Sequence, residues 1–265
     1  MTVAGPLVGA HCMAEPILPY AIRQFGIDPL IPIQVFGIDV SFTASAQAMV
    51  TTVVIIVAYL LLAVRRRQFQ PGRLQTSAEV LYGFIARTVV RNGGEDARPA
   101  IPLLSTIFVF ILFGTMIGLS PIKFTFTSHL IVTMGLALLV FVYANALAFR
   151  SHGVGMFRAL IPEGTPGSVL PIIFTIELVS YVFRPVTLGV RLFANIVAGH
   201  IMVKLFADGC VMILEGMGLS GLPILVLPIA MMCVLYAFEF LIVFIQAYVF
   251  LVLSSTYVGE AIRGH

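Results

Sequence analysis

Charged side chains are scarce in this sequence: 10% of the 265 residues are Asp, Glu, Lys or Arg, whereas 60% are hydrophobic. Soluble domains carry about 25% charged residues, so the composition excludes an ordinary soluble protein and predicts a membrane protein. The formal net charge of +3 is small and scattered. It provides no basic face for nucleic acid, which is therefore not an expected partner.

Cysteine is also rare. Cys12, Cys210 and Cys233 lie far apart and form no CxxC pair, so we interpret them as small apolar packing residues and expect neither a metal ion nor a cofactor. The first forty residues lack the basic start, apolar run and small-residue cleavage site of a signal peptide. No sequence repeat is evident, and we expect one membrane domain over residues 1–265.

The first membrane span is predicted at residues 44–64. These 21 uncharged residues are long enough, at about 1.5 Å each, to cross a hydrocarbon core of about 30 Å. Arg65, Arg66 and Arg67 follow directly, and such clusters stay in the cytoplasm. We therefore expect residues 1–43 to form an external amino-terminal segment.

An amphipathic helix is predicted at residues 76–91. Val80, Phe84 and Val89 are expected on its apolar side, and the charged residues on the other side are Glu79, Arg87 and Arg91. Such a helix suits the membrane interface.

Two more uncharged runs, at 100–122 and 130–149, predict an out-and-back helical hairpin around Lys123. The first contains Gly114 and Gly118, a GxxxG spacing that permits close helix packing but is common by chance.

The last two apolar segments, 169–207 and 222–258, are much longer than a bilayer core requires. We expect a hairpin of very long, steeply tilted helices, with Pro185 and Pro228 as bending points. The predicted fold class is thus an all-α polytopic membrane protein with five crossings and a cytoplasmic carboxyl terminus.

Ionisable residues inside the membrane are confined to this last pair of segments. A charge at mid-bilayer costs at least about 2.5 to 3.5 kcal/mol, and such groups usually serve transport. The first segment contains Glu177, Arg184, Arg191, His200 and Lys204; the second contains Glu239, together with the amide of Gln246.

A helical turn of about 100° per residue places several of these polar groups on one stripe. Its members are Glu177, Ser180, Arg184, Arg191 and Asn195. Glu177 and Arg184 could instead form a packing salt bridge. The guanidinium of Arg191 stays charged at any physiological pH, so it cannot relay a proton and is expected to act as a fixed positive barrier.

His200 lies half a turn from Arg191 and is expected to face elsewhere. By itself it could be a neutral, hydrogen-bonded histidine of the bundle. The occurrence of Glu239 on the other helix favours a second interpretation, because an acid and an imidazole together can relay protons.

The stretches LGVRLFANIVAGH (188–200) and EFLIVFIQAYVF (239–250) resemble subunit a of F-type ATP synthases, as do QFGIDPLIPI, DVSFTASA and TFTSHLIVT further upstream. The versions in alphaproteobacteria and mitochondria are the most similar. In the family's pattern the indispensable arginine corresponds to Arg191 and its polar partner on the last helix to Gln246. Asn195 and Ser180 occupy polar family positions beside them.

The resemblance implies two aqueous half-channels that meet a rotating ring of c subunits, each with one carboxyl group in the membrane. His200 and Glu239 would relay protons from the outside, and Glu177, Ser180 and Asn195 would line the pathways. Implied partners are the c ring, subunit b of the peripheral stalk, the remaining synthase subunits, protons and lipid. The chain would not be an enzyme on its own, and a bacterial inner membrane is favoured over a mitochondrial one.

Two other classes are considered. An ion-coupled secondary transporter would normally show two related halves, and none is visible. The Gly218-Leu219-Ser220-Gly221 turn has the look of a protease nucleophile, but glycines around a serine are also typical of a connection between helices.

Overall fold

The computed structural model of the chain describes residues 29–31, 34–35, 38–39, 42–65, 72–119, 126–153 and 170–263. The predicted external segment is therefore described only in part. Other residues of the sequence predictions that lie outside the described ranges are Cys12, Arg66, Arg67 and Lys123.

Most of the described residues belong to six α-helices. They are α1 (Ala44–Val64), α2 (Arg73–Gly93), α3 (Ile101–Gly118), α4 (Leu130–His152), α5 (Leu170–Met217) and α6 (Leu222–Arg263). Short 3-10 turns precede α3 and α4 and connect α5 to α6, at Glu95–Ala100, Phe126–Ser128 and Gly218–Gly221.

Among the residues described before α1 there are four very short strands. β1 (Pro29–Ile31) pairs antiparallel with β4 (Phe42–Thr43), and between them β2 (Gln34–Val35) pairs antiparallel with β3 (Ile38–Asp39). Thr43 then begins α1, because its hydroxyl accepts a hydrogen bond from the Ala46 N–H at 3.3 Å. These strands are a local addition to a helical fold.

Within the described ranges, five stretches of helix are long and apolar enough to cross a membrane: α1, Glu95–Gly118, Leu130–Ser151, α5 and α6. This confirms the predicted all-α polytopic class. The amphipathic α2 is not among the five. The 48 residues of α5 and the 42 of α6 correspond to about 72 and 63 Å. Helices of that length must tilt, bend or extend beyond a hydrocarbon core of about 30 Å.

The helix ends differ from the apolar segments read in the sequence. α5 continues ten residues past 207, and α6 continues five past 258. Polar residues end an apolar segment, but they do not interrupt backbone hydrogen bonding, so the helices continue. Pro185 and Pro228 both lie inside continuous helices, where each removes one backbone donor.

The described residues divide into two compact units. The larger unit contains Pro29–Ile196 and Phe240–His265, and the smaller unit contains Val197–Glu239. A single domain over the whole chain stays a prediction. The larger unit has a continuous apolar core in which every helix except α1 has fully buried side chains, including Val89, Leu104, Phe108, Val140, Leu188, Leu192, Phe250 and Leu251.

The packing of α2 corrects one detail of the sequence prediction. Ile85 and Val89 are buried, as is Thr88, whereas Val80 is 61% exposed. The predicted apolar side was wrong for Val80 because nine residues separate it from Val89, which places the two on opposite sides of the helix. The end of α2 lies directly against α6, since a Cβ at Gly259 would come within 2.3 Å of the Gly93 carbonyl oxygen.

The GxxxG spacing in α3 has an explanation inside the chain. A Cβ at Gly114 would lie 2.3 Å from the ring of Phe126, so this glycine makes room for an aromatic side chain of the 3-10 turn before α4. The ring also packs 5.1 Å from that of Phe110, centroid to centroid. Ordinary packing therefore accounts for Gly114.

Candidate functional site

The polar stripe of α5 is held against α6 at Arg184, within the larger unit. The Arg184 guanidinium lies 2.5 Å from an oxygen of Glu260 on α6 and 3.7 Å from one of Glu177 on its own helix. It also lies over the rings of Tyr181 and Tyr257, 5.7 and 5.4 Å from their centroids. Arg184 therefore links the two helices through a salt bridge. The interpretation of Glu177 and Arg184 as a salt bridge is supported, although Glu260 is the closer partner.

Arg191 has a different environment, although it lies seven residues further along the same face. Leu188 and Leu192 on either side of it are each only 1% exposed, and their burial fixes the rotation of α5. That rotation leaves the side chain of Arg191 exposed. Across the described ranges, no hydrogen bond or ion pair involves its guanidinium.

An amide pair connects the two helices one turn beyond Arg191. Asn195 Nδ2 donates to Gln246 Oε1 at 2.8 Å, and Gln246 is 5% exposed. The Gln246 Nε2 group is buried and donates to no acceptor in the described part of the chain. Neighbouring Val243 and Ala247 are buried in the core, so α6 turns Gln246 inward. A buried donor without a partner is costly and calls for a functional explanation.

The smaller unit contains the histidine and the acid. His200 Nδ1 lies 3.7 Å from Glu239 Oε1, and Glu239 is 6% exposed. Gly199 makes this possible, because a Cβ there would lie 2.7 Å from the same oxygen. The second oxygen, Oε2, is buried and accepts no hydrogen bond from the residues that the structure describes. The predicted pairing of His200 with Glu239 is therefore present as a close contact.

Ser180 is exposed, and no hydrogen bond joins its hydroxyl to other described residues. Apart from Ser180, the predicted residues fall into three groups: Arg184 with its carboxylate partners, Arg191 without a partner among the described residues but beside the Asn195–Gln246 amide pair, and His200 with Glu239. Metal binding by three or more His, Cys, Asp or Glu side chains is not found among the described residues.

Three residues that take part in these contacts are not predicted from the sequence. Glu260 was placed beyond the last span, although its spacing of fourteen from Gln246 puts it on nearly the same helix face. Tyr257 gave no signal in the sequence. Asn145 on α4 accepts a hydrogen bond from the Tyr181 hydroxyl at 2.5 Å, and only its polarity within an apolar span could have identified it.

The serine turn has a structural explanation. Ser220 lies in the 3-10 turn between α5 and α6 and donates its hydroxyl hydrogen to the Met217 carbonyl oxygen at 2.5 Å. A serine that satisfies a backbone carbonyl at a helix end is typical of a connection.

Comparison with known proteins gives a consistent result. The sequence model of the family described as ATP synthase A chain matches residues 47–259. Curated relatives named ATP synthase subunit a are 42% identical in Parvibaculum lavamentivorans, over 92% of this chain and 94% of the relative, and 43% identical in Mesorhizobium japonicum, over 91% and 96%. That of Rhodospirillum rubrum is 42% identical over 92% and 98%.

The fold and the polar groups of α5 and α6 define a multi-pass membrane protein with ionisable side chains between its two longest helices. With the matches over most of its length, the chain belongs to the ATP synthase subunit a family. The predicted family is confirmed, and the secondary-transporter alternative is not favoured. A member of this family is a membrane subunit of the synthase and not an enzyme on its own.

Proposed function

We propose that this chain is the proton-conducting stator subunit of a rotary F-type ATP synthase, in which Arg191 is the fixed cation that faces the carboxyl groups of the c ring. The observation that carries the assignment is the contrast between two arginines on one helix face. Arg184 is neutralised by Glu260 and Glu177, whereas Arg191 is exposed and unpaired in the described part of the chain. Ionisable groups in membrane helices face water-filled cavities or pair with a partner, and a carboxylate of a neighbouring subunit is a partner that would match this guanidinium.

The physical role of Arg191 follows from the cost of burying charge. A carboxyl group of the ring faces lipid at low cost only when protonated, because a low dielectric favours the neutral form. Opposite Arg191 the ionised form is favoured by the nearby positive charge, so the carboxyl group releases its proton there. Since the guanidinium never deprotonates, it also prevents a direct leak between the two half-channels.

Glu239 and His200 are the proposed relay of the outer half-channel. Their 3.7 Å separation is slightly too long for a direct hydrogen bond but short enough for a small adjustment or a bridging water to connect them. Glu239 Oε2, which accepts no hydrogen bond from any described residue, is the proposed next proton acceptor.

Asn195 and Gln246 are proposed to position the surface next to Arg191. Their hydrogen bond links the two helices beside Arg191, and the buried Nε2 group of Gln246, which has no acceptor among the described residues, is where a water of the pathway could bind. Glu177 and Ser180 are proposed to line the pathway, with Glu177 also helping to hold Arg184.

The proposed function also implies a particular membrane, an orientation in it and contacts with partner subunits. The protein lies in a bacterial inner membrane with its amino terminus in the periplasm and its carboxyl terminus in the cytoplasm. It contacts the c ring and subunit b of the peripheral stalk. A membrane potential supplies about 2.3 kcal/mol per proton for each 100 mV, so several protons are needed for each ATP.

The test compares Arg191→Gln with Arg184→Gln in inverted membrane vesicles. ATP-driven acidification is measured and normalised to the amount of assembled complex. We expect Arg191→Gln to assemble normally and pump nothing. Arg184→Gln should instead assemble poorly, because it leaves Glu260 without its cation, while the complexes that do form retain coupled pumping.

A second substitution separates the two roles further. Glu260→Gln added to Arg184→Gln removes the uncompensated carboxylate and should recover part of the assembly, corresponding to a coupling of about 1 kcal/mol. Coupled acidification by assembled Arg191→Gln complexes would refute the proposed role of Arg191.

A further inference from the structure

A cavity of about 310 Å³ lies between α1, α2 and α3 in the larger unit. Its wall is almost entirely apolar: Val53 and Leu60 contribute from α1, Leu81 and Ile85 from α2, and Val109 from α3. The Thr106 hydroxyl at its edge is satisfied by the Pro102 carbonyl at 2.9 Å. The volume falls at the lower end of the range for ligand sites. None of the residues assigned to proton transfer lines this cavity.

The size of the cavity limits what can enter it. One turn of an α-helix with its side chains, about 10 Å wide and 5.4 Å long, occupies roughly 400 Å³. The cavity is therefore too small for a helix of a partner subunit but has room for an extended hydrocarbon chain. Two of its three walls, α1 and α3, belong to predicted membrane spans, so the hydrocarbon chains available to it are those of membrane lipids.

Two arginines lie near one end of this cavity. Tyr59 and Ser77 are joined by a hydrogen bond of 2.7 Å, which brings the cavity residues next to them, Leu60 and Ala78, close together. Arg65 follows Leu60 by five residues and Arg73 precedes Ala78 by five, roughly 7 to 8 Å along each helix.

Both arginines are available to a ligand. Their side chains are exposed, and neither forms an ion pair within the described ranges. The nearest acid on α2, Glu79, accepts a hydrogen bond from Gln75 and lies about 120° around the helix from Arg73.

We propose that this cavity binds one acyl chain of an anionic phospholipid, whose phosphate group is held by Arg65 and Arg73. Guanidinium groups pair with phosphate through two parallel hydrogen bonds, and basic residues beside a membrane span attract anionic lipids. An acyl chain is surrounded by apolar groups both in the bilayer and in the cavity, so its transfer gains free energy only where it packs closely against the cavity wall. The two arginines therefore provide the selectivity for an anionic lipid. The bound lipid would fill the space under α2 and support its position.

The experiment uses the intact ATP synthase reconstituted in phosphatidylcholine vesicles. The vesicles contain phosphatidylglycerol or phosphatidylcholine with a photoactivatable group in one acyl chain, and adducts are located by peptide mass spectrometry. We expect the phosphatidylglycerol probe to label the cavity walls at Val57 and Val109 more strongly than the phosphatidylcholine probe does. Labelling of the exposed face of α1 at Leu61 and Leu62 provides the reference for unspecific contact.

Arg65→Gln and Arg73→Gln should each reduce cavity labelling by phosphatidylglycerol about fivefold, without changing the reference labelling. Arg91→Gln, the same substitution at the other end of α2, is the matched control and should have no effect. Equal cavity labelling by the two lipids, or labelling unchanged in the double arginine variant, overturns the proposal. Cavity labelling by phosphatidylglycerol that is no stronger than the reference labelling at Leu61 and Leu62 also overturns it, because the cavity is then not a preferred lipid site.

Discussion

Gly199 offers the sharpest test of how the histidine and the acid are arranged. A Cβ at this position would lie 2.7 Å from Glu239 Oε1 and 2.9 Å from the carboxyl carbon. Ordinary contact begins near 3.4 Å, so in Gly199→Ala the carboxylate must withdraw by about 0.7 Å. The clash involves the end of a flexible side chain, so the protein should fold, but the distance of 3.7 Å to His200 should lengthen.

The expected effect is on transport and not on assembly. A misplacement of about 1 Å in a reacting group can cost up to 100-fold in rate, so a displacement of about 0.7 Å should slow proton transfer roughly tenfold. The assay is ATP-driven acidification of inverted vesicles, normalised to assembled complex. Helix propensity alone would favour alanine over glycine by about 1 kcal/mol, so a loss of activity cannot be attributed to a weakened helix.

Gly209→Ala is the matched control. Gly209 lies on the same helix, and a Cβ there would meet no atom of a described residue within 4 Å. It should pump at the rate of the unaltered protein. If Gly199→Ala pumps as fast as Gly209→Ala when both are normalised, the close contact with Glu239 has no role in proton transfer and the reasoning fails.

Three further predictions concern Gly259, His129 and Glu239. Gly259→Ala brings a methyl group into the backbone of Gly93 and should cost about 1 to 3 kcal/mol, which would be measured as less assembled subunit in membranes. Gly135→Ala is the control and should assemble normally, because a Cβ there would meet no described atom within 4 Å. Burial lowers the pKa of His129, which lies just before α4. The folded state therefore binds a proton at this imidazole less readily than the unfolded state does. Thermal stability should fall as the pH drops below about 6.5, the pKa in the unfolded state, and continue to fall down to the lower pKa of the folded state. The complex with His129→Gln should lose less stability between pH 7.5 and 5.5, and an identical loss would contradict this assignment. Glu239→Gln should slow proton transport without preventing assembly, and an unchanged rate in the vesicle assay would argue against the relay.

The sequence was sufficient for features that depend on local composition. Continuous apolar runs predicted the spans because a helix crossing the bilayer must satisfy its backbone internally and present apolar side chains over about 20 residues. Residues 44–64 were predicted as a span, and α1 occupies those residues. Helical periodicity likewise placed Arg184 and Arg191 on one face.

The sequence was less reliable where packing selects one of several similar faces. Val80 and Val89 are both apolar, but only Val89 is buried, because the rotation of α2 is set by its contacts with α3 and α6. The predicted end of the last span also excluded Glu260, since an apolar run ends before the helix does. In both cases the deciding contact comes from a residue distant in the chain.

Composition and periodicity by themselves determined that this is a polytopic helical membrane protein with its ionisable groups in the last two helices, because hydrophobicity and helix geometry are local properties. Only the tertiary structure decided which arginine is neutralised and which has no partner among the described residues, and that Gly199 leaves room for the carboxylate of Glu239. These outcomes depend on which residue of α6 lies opposite each residue of α5, and that register is fixed by side-chain packing between segments far apart in the sequence.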